Sequence, residues 1–257
     1  MLPETAIDSW RQWDDGFRTR PVILGPLSGG RSNRSFLLES DGKRLVLRLN
    51  STDSALAGIN RNVEINIWKA ASQQGIAPPL LFADDNNQFL VSTYIDSNLP
   101  SQPPFDEAFT RQAFGLLKHC HELDVDAPAI DYSSHIEHYW HIIEDKDQLS
   151  NQTLPDQRLP MQSMLESLIA SSPPTGLCHH DPVVANFVGN TDRLYLIDWE
   201  YAVRGLLVMD YAALSIEWGL DTKIVLAQTG IEPALLVKAK AVYRYLCELW
   251  QESTAGV

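Results

Sequence analysis

The stretch Cys178-His179-His180-Asp181-Pro182-Val183-Val184-Ala185-Asn186-Phe187, followed by Leu194-Tyr195-Leu196-Ile197-Asp198-Trp199-Glu200-Tyr201-Ala202, decides how this chain reads. It supplies Asp181, Asn186 and Asp198 in one block, with Asp181 and Asn186 five positions apart. Asp198 ends an apolar run that reads as a strand. Phosphoryl transfer needs a carboxylate beside the attacking hydroxyl and oxygen ligands for the metal that neutralises the phosphates. An Asp in a loop, a downstream Asn and a strand-end Asp meet both needs.

Bulk properties set the frame around this block. The chain has 257 residues, enough for one large domain or two lobes, and is 44% hydrophobic and 21% charged, as soluble globular proteins are. No run approaches the roughly 18 apolar residues of a membrane helix. The opening MLPETAIDSWRQWDDGF carries early acids and no basic-then-apolar order, so no signal peptide is expected and the reading is cytoplasmic. Cys120, Cys178 and Cys247 are widely spaced and read as reduced thiols. Twenty Lys and Arg against 33 Asp and Glu give a net charge of −13. That sign argues against nucleic acid and anionic membranes as partners and suits a small cationic substrate.

Along the chain, residues 5–17 read as a short amphipathic helix. Ser35–Glu39 and Arg44–Leu49 read as strands joined by an Asp41-Gly42 hairpin. Residues 53–73 read as a helix that Asp53 can cap, with Ile59, Val63, Ile67 and Ala70 on one face, ended by Gly75 and Pro78-Pro79. Short strands at 80–83 and 88–93 complete a small, largely antiparallel sheet. Residues 105–123, 134–148, 159–171, 208–219 and 232–251 read as helices. The fold class is α+β: a sheet-bearing nucleotide-binding lobe at 1–93, a hinge at 94–100, and a helical catalytic and substrate lobe at 101–257, with a cleft between the lobes.

Each site residue has a role in this reading. Asp181 is the candidate base. His179 and His180 precede it, one of them packing inward against the loop. Asn186 and Asp198 are the candidate magnesium ligands, hard oxygens that a bound nucleotide's phosphates would supplement. Ser28, Gly29 and Gly30 can lay backbone amides over phosphates. Arg48 on a strand, followed by Glu64 on the next helix, is the ion pair by which kinases grip the α- and β-phosphates. Asp210 opens a helix and can cap it or accept backbone amides of the Asp181 loop. Trp199, Glu200, Tyr201, Glu217 and Trp218 can form an aromatic and acidic site for an ammonium. Trp199 and Trp218 fit the core equally well.

With these residues in view, the chain resembles the choline/ethanolamine kinase branch of the aminoglycoside phosphotransferase-like kinases. The segments GGRSNRSF, VLRLN, the Glu64 helix ending GIAPPLL, CHHDPVVANF and LYLIDWEYA carry the likeness from about Leu24 to Trp218. Small bacterial thiamine kinases are similar in the same places. The resemblance implies a protein-kinase-like two-lobe fold, ATP with Mg²⁺, and transfer of the γ-phosphate to a hydroxyl. It implies Asp181 as base, Asn186 and Asp198 as metal ligands, Arg48 and Glu64 as the phosphate-binding pair, and Thr93, Tyr94 and Ile95 as the segment meeting adenine. Pro182 stands where the family usually has Leu, and the segment between Tyr201 and Asp210 departs from choline kinases beside the acceptor site. The expected acceptor is a small cationic alcohol, choline or ethanolamine first, with thiamine, an aminoglycoside, or a non-catalytic nucleotide-binding role as alternatives.

Overall fold

The computed structural model describes residues 1–13, 16–27, 33–51, 59–103, 105–145, 149–171 and 176–254. The chain divides into two compact units. One comprises Met1–Ser101, Asp124–Asp126 and Ala185–Tyr201, and the other Gln102–Leu123, Ala127–Val184 and Ala202–Val257. Chain order alone assigns 185–201 to the helical half. In the structure this segment belongs to the first unit.

The first unit is built on a five-stranded antiparallel sheet. Its strands are β1 (Val22–Leu27), β2 (Arg34–Ser40), β3 (Lys43–Leu49), β4 (Leu80–Ala83) and β5 (Phe89–Thr93), in the order β1-β2-β3-β5-β4. Asp41 and Gly42 have φ of 51° and 71°, the left-handed pair that a two-residue hairpin between twisted strands requires. The N-terminal segment differs from the sequence expectation. Helix α1 (Pro3–Ile7) stops early, and only a 3-10 turn at Trp10–Gln12 follows. Ser9 Oγ donates to the Ala6 carbonyl and accepts from Trp13 Nε1, a local alternative to continuing the helix. Trp10, Trp13 and Phe17 are thereby buried with Leu38, Leu45, Leu47 and Phe89 in one core.

Helix α2 (Arg61–Gln73) is capped by Asn60, whose side chain accepts from the amides of Asn62 and Val63. Asp53, expected as the cap, lies outside the described residues. The buried face holds Arg61, Glu64, Ile65, Ile67, Trp68 and Ala71, so Ile67 of the expected stripe is buried, Val63 and Ala70 are half-buried at its edge, and two charged residues share the face. The reason is that this face hides charges that pair with one another.

A second piece of the unit is the ribbon of β7 (Phe187–Gly189) and β8 (Leu194–Leu196). Gly189 has φ of 122°, and a Cβ there would lie 2.2 Å from the Arg193 carbonyl oxygen. Only glycine fits this turn. Asn190 Oδ1 accepts from the amides of Asp192 and Arg193 and closes it.

The second unit is mainly helical: α3 (Glu107–His121), α4 (Tyr132–Glu144), α5 (Leu154–Ser171), α6 (Leu207–Glu217), α7 (Thr222–Thr229) and α8 (Pro233–Thr254). Helix α8 packs against α4, α5 and α6. The sequence reading lacks α7, although Asp221 caps it and Gly230, at φ 67°, ends it. A ribbon of β6 (Gly176–Cys178) and β9 (Val203–Gly205) leads the chain into the Asp181 loop and on to α6. Among the described residues, no helix is long and apolar enough to cross a membrane.

Candidate active site

In the first unit the site is organised by Arg48. Its guanidinium Nη2 donates to Glu64 Oε1, Nη1 reaches Asp198 Oδ1 at 3.3 Å, and Nε donates to Asn50 Oδ1 at 3.1 Å. Its guanidinium also lies 5.5 Å from the centre of the Trp68 ring. The side chains of Arg48 and Glu64 are 8% and 0% exposed. Burial opposes the charge on Arg48, and the carboxylates of Glu64 and Asp198 more than offset it, raising its pKa. Such a pair adds little net stability, but losing one partner strands the other at a cost of about 3–5 kcal/mol. Its value lies in fixing where the cation sits.

The β7–β8 register pairs Phe187 with Leu196, and the Ile197 amide donates to the Asn186 carbonyl at 3.0 Å. Asn186 and Asp198 therefore flank one end of a rigid two-stranded ribbon. Asp198 has φ of 65°, an uncommon conformation for a non-glycine residue and one found at functional sites. Its side chain is 31% exposed, more open than the carboxylates of Glu64 and Glu200. An Asn amide oxygen and a half-open Asp carboxylate are a donor set that fits Mg²⁺ carrying waters and phosphate oxygens. Ser28, Gly29 and Gly30 lie outside the described residues.

At the end of β5, the Thr93 amide donates to the Pro79 carbonyl at 3.0 Å and the Tyr94 amide to the Arg44 carbonyl at 3.1 Å. Both N–H groups are thus spent in the sheet. Ile95 has no hydrogen bond among the described residues, so it is the residue of the three whose amide remains for a ligand.

In the second unit, β6 ends at Cys178 and the chain turns through His179, His180 and Asp181. Asp210, fully buried in the first turn of α6, holds this turn. Its Oδ2 accepts from the His179 amide at 2.8 Å and from His121 Nε2 at 2.9 Å, and its Oδ1 accepts from the His180 amide at 2.7 Å. Burial works to raise the Asp210 pKa, and the bond from His121 with the neighbouring imidazoles outweighs it, so the group stays below its ordinary value. His121, Cys178 and Asp210 have potential ligand atoms within 4.8 Å of one another. Three N–H donors already occupy the Asp210 carboxylate, so this cluster reads as a buried anchor.

His179 is the inward member of the histidine pair, fully buried. His180 has φ of 63° and its Nε2 lies 2.9 Å from the Tyr132 hydroxyl, which also accepts from the Leu206 amide at 3.1 Å. Gly205 is required beside them, since a Cβ would come within 2.6 Å of the Tyr132 hydroxyl oxygen. Asp181 follows, half-buried, and Trp218 Nε1 donates to the Pro182 carbonyl at 3.0 Å. The end of α6 is thereby tied to the loop just past Asp181. Glu217, exposed at that end, accepts from the Tyr243 hydroxyl at 3.1 Å. Burial, with the carboxylates of Glu217 and Asp181 adding to it, raises the pKa of Tyr243 and lifts the Cys247 thiol to about 11.

The expected ammonium site is changed by this geometry. Trp199 and Trp218 are both fully buried. Trp199 Nε1 donates to the Leu196 carbonyl, and Trp218 stacks on Phe109 at 4.9 Å with Phe105 beside it. They are core residues, because their large rings gain more from packing than from facing solvent. Glu200 is also buried, bonded to Arg61 and Asn33, and so is not an open carboxylate for a ligand. Tyr201, half-buried, and Glu217 remain of the five. Sequence reasoning missed Arg61, Asn33, His121, Tyr243 and Cys247. For Tyr243 and Cys247 the only signal is their i, i+4 spacing on one helix face.

The family model for the phosphotransferase enzyme family matches residues 24–242. A thiamine kinase of Escherichia coli O139:H28 is 28% identical over 198 residues, covering 74% of this chain and 65% of the relative. The chain thus spans about two thirds of the length of that curated relative. A choline/ethanolamine kinase family protein from Mesorhizobium loti superposes with a TM-score of 0.72 at 22% identity, covering 97% of this chain and 85% of that one. The choline kinase LicA from Streptococcus pneumoniae gives 0.72 at 23% identity over 90% of this chain and 86% of that one, and LicA has also been solved in complex with AMP. At these identities the solved structures show the fold, a protein-kinase-like phosphotransferase fold with an antiparallel sheet and a helical part. The family-model match covers most of the sequence, and the chain belongs to the phosphotransferase enzyme family.

Proposed function

We propose that this protein is an ATP-dependent kinase that transfers the γ-phosphate to the hydroxyl of a small cationic alcohol. The observation that carries the reading is the buried Arg48, gripped by Glu64 and reaching Asp198. A desolvated guanidinium pinned to a helix carboxylate is a phosphate-binding group, and a half-open Asp beside it is a hard-metal ligand. In this reading Arg48 binds the α- and β-phosphates, Asn186 and Asp198 hold magnesium, Ile95 meets adenine, and Asp181 accepts the proton of the attacking hydroxyl. The magnesium ion, when bound, neutralises charge on the transferred phosphoryl group. Glu217, with Tyr243 oriented onto it, offers negative charge to a cationic acceptor, and Tyr201 offers a ring.

The burial of Trp199 and Trp218 removes the aromatic cage that favoured a quaternary ammonium, so choline loses its particular claim over ethanolamine. Thiamine is a second reading, supported by the name of the sequence relatives and by its combination of a cationic ring with a primary hydroxyl. An ADP-release screen over choline, ethanolamine, thiamine and aminoglycosides with magnesium tests both. The expected result is turnover with one cationic alcohol, abolished in Asp198→Asn and reduced about 10²–10⁴-fold in Asp181→Asn. No acceptor-dependent ADP release, or undiminished release by Asp198→Asn, refutes the proposal.

A further inference from the structure

Arg61 occupies the first turn of α2 with its side chain 8% exposed. Its Nη1 donates both to Glu64 Oε2 at 2.7 Å and to Glu200 Oε2 at 3.0 Å, and its Nη2 donates to Asn33 Oδ1 at 3.0 Å. Asn33 closes the ring by donating Nδ2 to the same Glu200 oxygen at 2.8 Å, and its Oδ1 accepts the Ser51 amide at 3.2 Å. Arg61 and Asn33 together join four segments of the first unit: the residue entering β2, the residues after β3, the α2 carboxylate that holds Arg48, and the segment two residues beyond Asp198. Three carboxylates, Glu64, Asp198 and Glu200, share the two cations Arg48 and Arg61.

The division of bonds is what gives Arg61 a role. Glu64 spends one oxygen on Arg48 and the other on Arg61. Without Arg61, Glu64 is free to rotate and to draw Arg48 into a two-pronged pair, away from Asp198. Glu200, 3% exposed in its side chain, would keep only the Asn33 amide and would move towards another donor or solvent. The first change moves Arg48 and the second shifts the Asp198-Trp199-Glu200 turn. We propose that Arg61 is a positioning residue that fixes the phosphate-binding cation and the metal-binding carboxylate relative to each other, acting through Glu64 and Glu200. The proposal rests on the nucleotide reading given above.

The test compares Arg61→Met, Arg61→Lys and the double variant Arg61→Met with Glu200→Gln, which removes one buried charge of each sign. Dissociation constants for ATP with magnesium, melting temperatures and kinetic constants are measured for each. Residues that orient metal ligands from behind typically change metal affinity or activity 10–100-fold when replaced. We expect nucleotide–magnesium affinity to fall by about that factor in Arg61→Met and in the charge-balanced double variant, with KM for the acceptor unchanged. Arg61→Lys keeps the charge but not the planar fork, and an intermediate loss is expected. Wild-type affinity in the double variant, or in Arg61→Lys should the double variant not fold, overturns the proposal and leaves Arg61 as a fold-holding charge. Failure of the wild-type chain to bind ATP with magnesium overturns the nucleotide reading itself, and this proposal with it.

Discussion

Replacing Asp210 by Asn tests whether one buried carboxylate holds the Asp181 loop. Three N–H donors meet its two oxygens: His179 N and His121 Nε2 on Oδ2, and His180 N on Oδ1. An amide has one acceptor oxygen. Its better orientation keeps the oxygen towards His179 and His121 and turns its NH₂ against the His180 amide. That strands two donors, the amide NH₂ and the part-buried His180 N–H, at a cost of about 1–3 kcal/mol each. The two surviving bonds lose their ionic assistance, a further loss of about 1 kcal/mol each. The total is about 4–8 kcal/mol, or a fall in melting temperature of about 10–30 °C for a chain of this size. His180, already at φ of 63°, would relax once its amide is released, and Asp181 would move with it. The assay is urea unfolding of both proteins across pH. Asp210 has a lowered pKa, so its stabilisation is present above its ordinary value of 3.8 and is lost as pH falls through the lower folded value. The gap between the proteins is therefore full near neutrality and closes in acid. A variant within 1 kcal/mol of wild type at pH 7 would refute the anchoring argument.

Two further outcomes follow from other positions. Gly189→Ala forces a Cβ to 2.2 Å from the Arg193 carbonyl at φ of 122°, so the β7–β8 turn must open. Strain of this kind costs about 1–3 kcal/mol and should weaken magnesium-dependent nucleotide binding as Asn186 and Asp198 shift; unchanged urea midpoint and affinity would contradict it. His135 has its pKa lowered from 6.5 to about 4, by burial first and then by the charges of His180 and His138. A depressed histidine withdraws stability as pH falls from 6.5 towards 4, so His135→Leu should flatten that decline by up to about 3 kcal/mol, seen in melting curves at stepped pH; an unaltered slope would show that the group does not titrate there.

Local chemistry made much of this molecule legible in its sequence. Asp41-Gly42 specifies a two-residue hairpin because its residues accept left-handed backbone at little cost. Leu194–Leu196 is short, apolar and followed by Asp198, so the strand-end carboxylate is apparent without coordinates. The spacing of Asp181, Asn186 and Asp198 pointed to the family and the fold, because the loop, the ribbon and the strand-end carboxylate are consecutive in the chain.

What failed to read locally was decided by partners distant in sequence. The buried face of α2 extends beyond its apolar stripe because Arg61 pairs with Glu64 and with Glu200, 139 positions after it, and Glu64 pairs with Arg48. Trp199 and Trp218 fit a ligand wall and the core equally well in the sequence. A large ring gives no sign in sequence of whether its face meets solvent or the Phe105–Phe109 pair that covers Trp218. That the amides of Thr93 and Tyr94 pair with the carbonyls of Pro79 and Arg44 is a property of the sheet and has no sign in the local sequence. The sequence alone singled out which side chains are candidates for the chemistry. Tertiary structure decided which of them are buried and paired, because desolvation is set by neighbours that the local pattern does not contain.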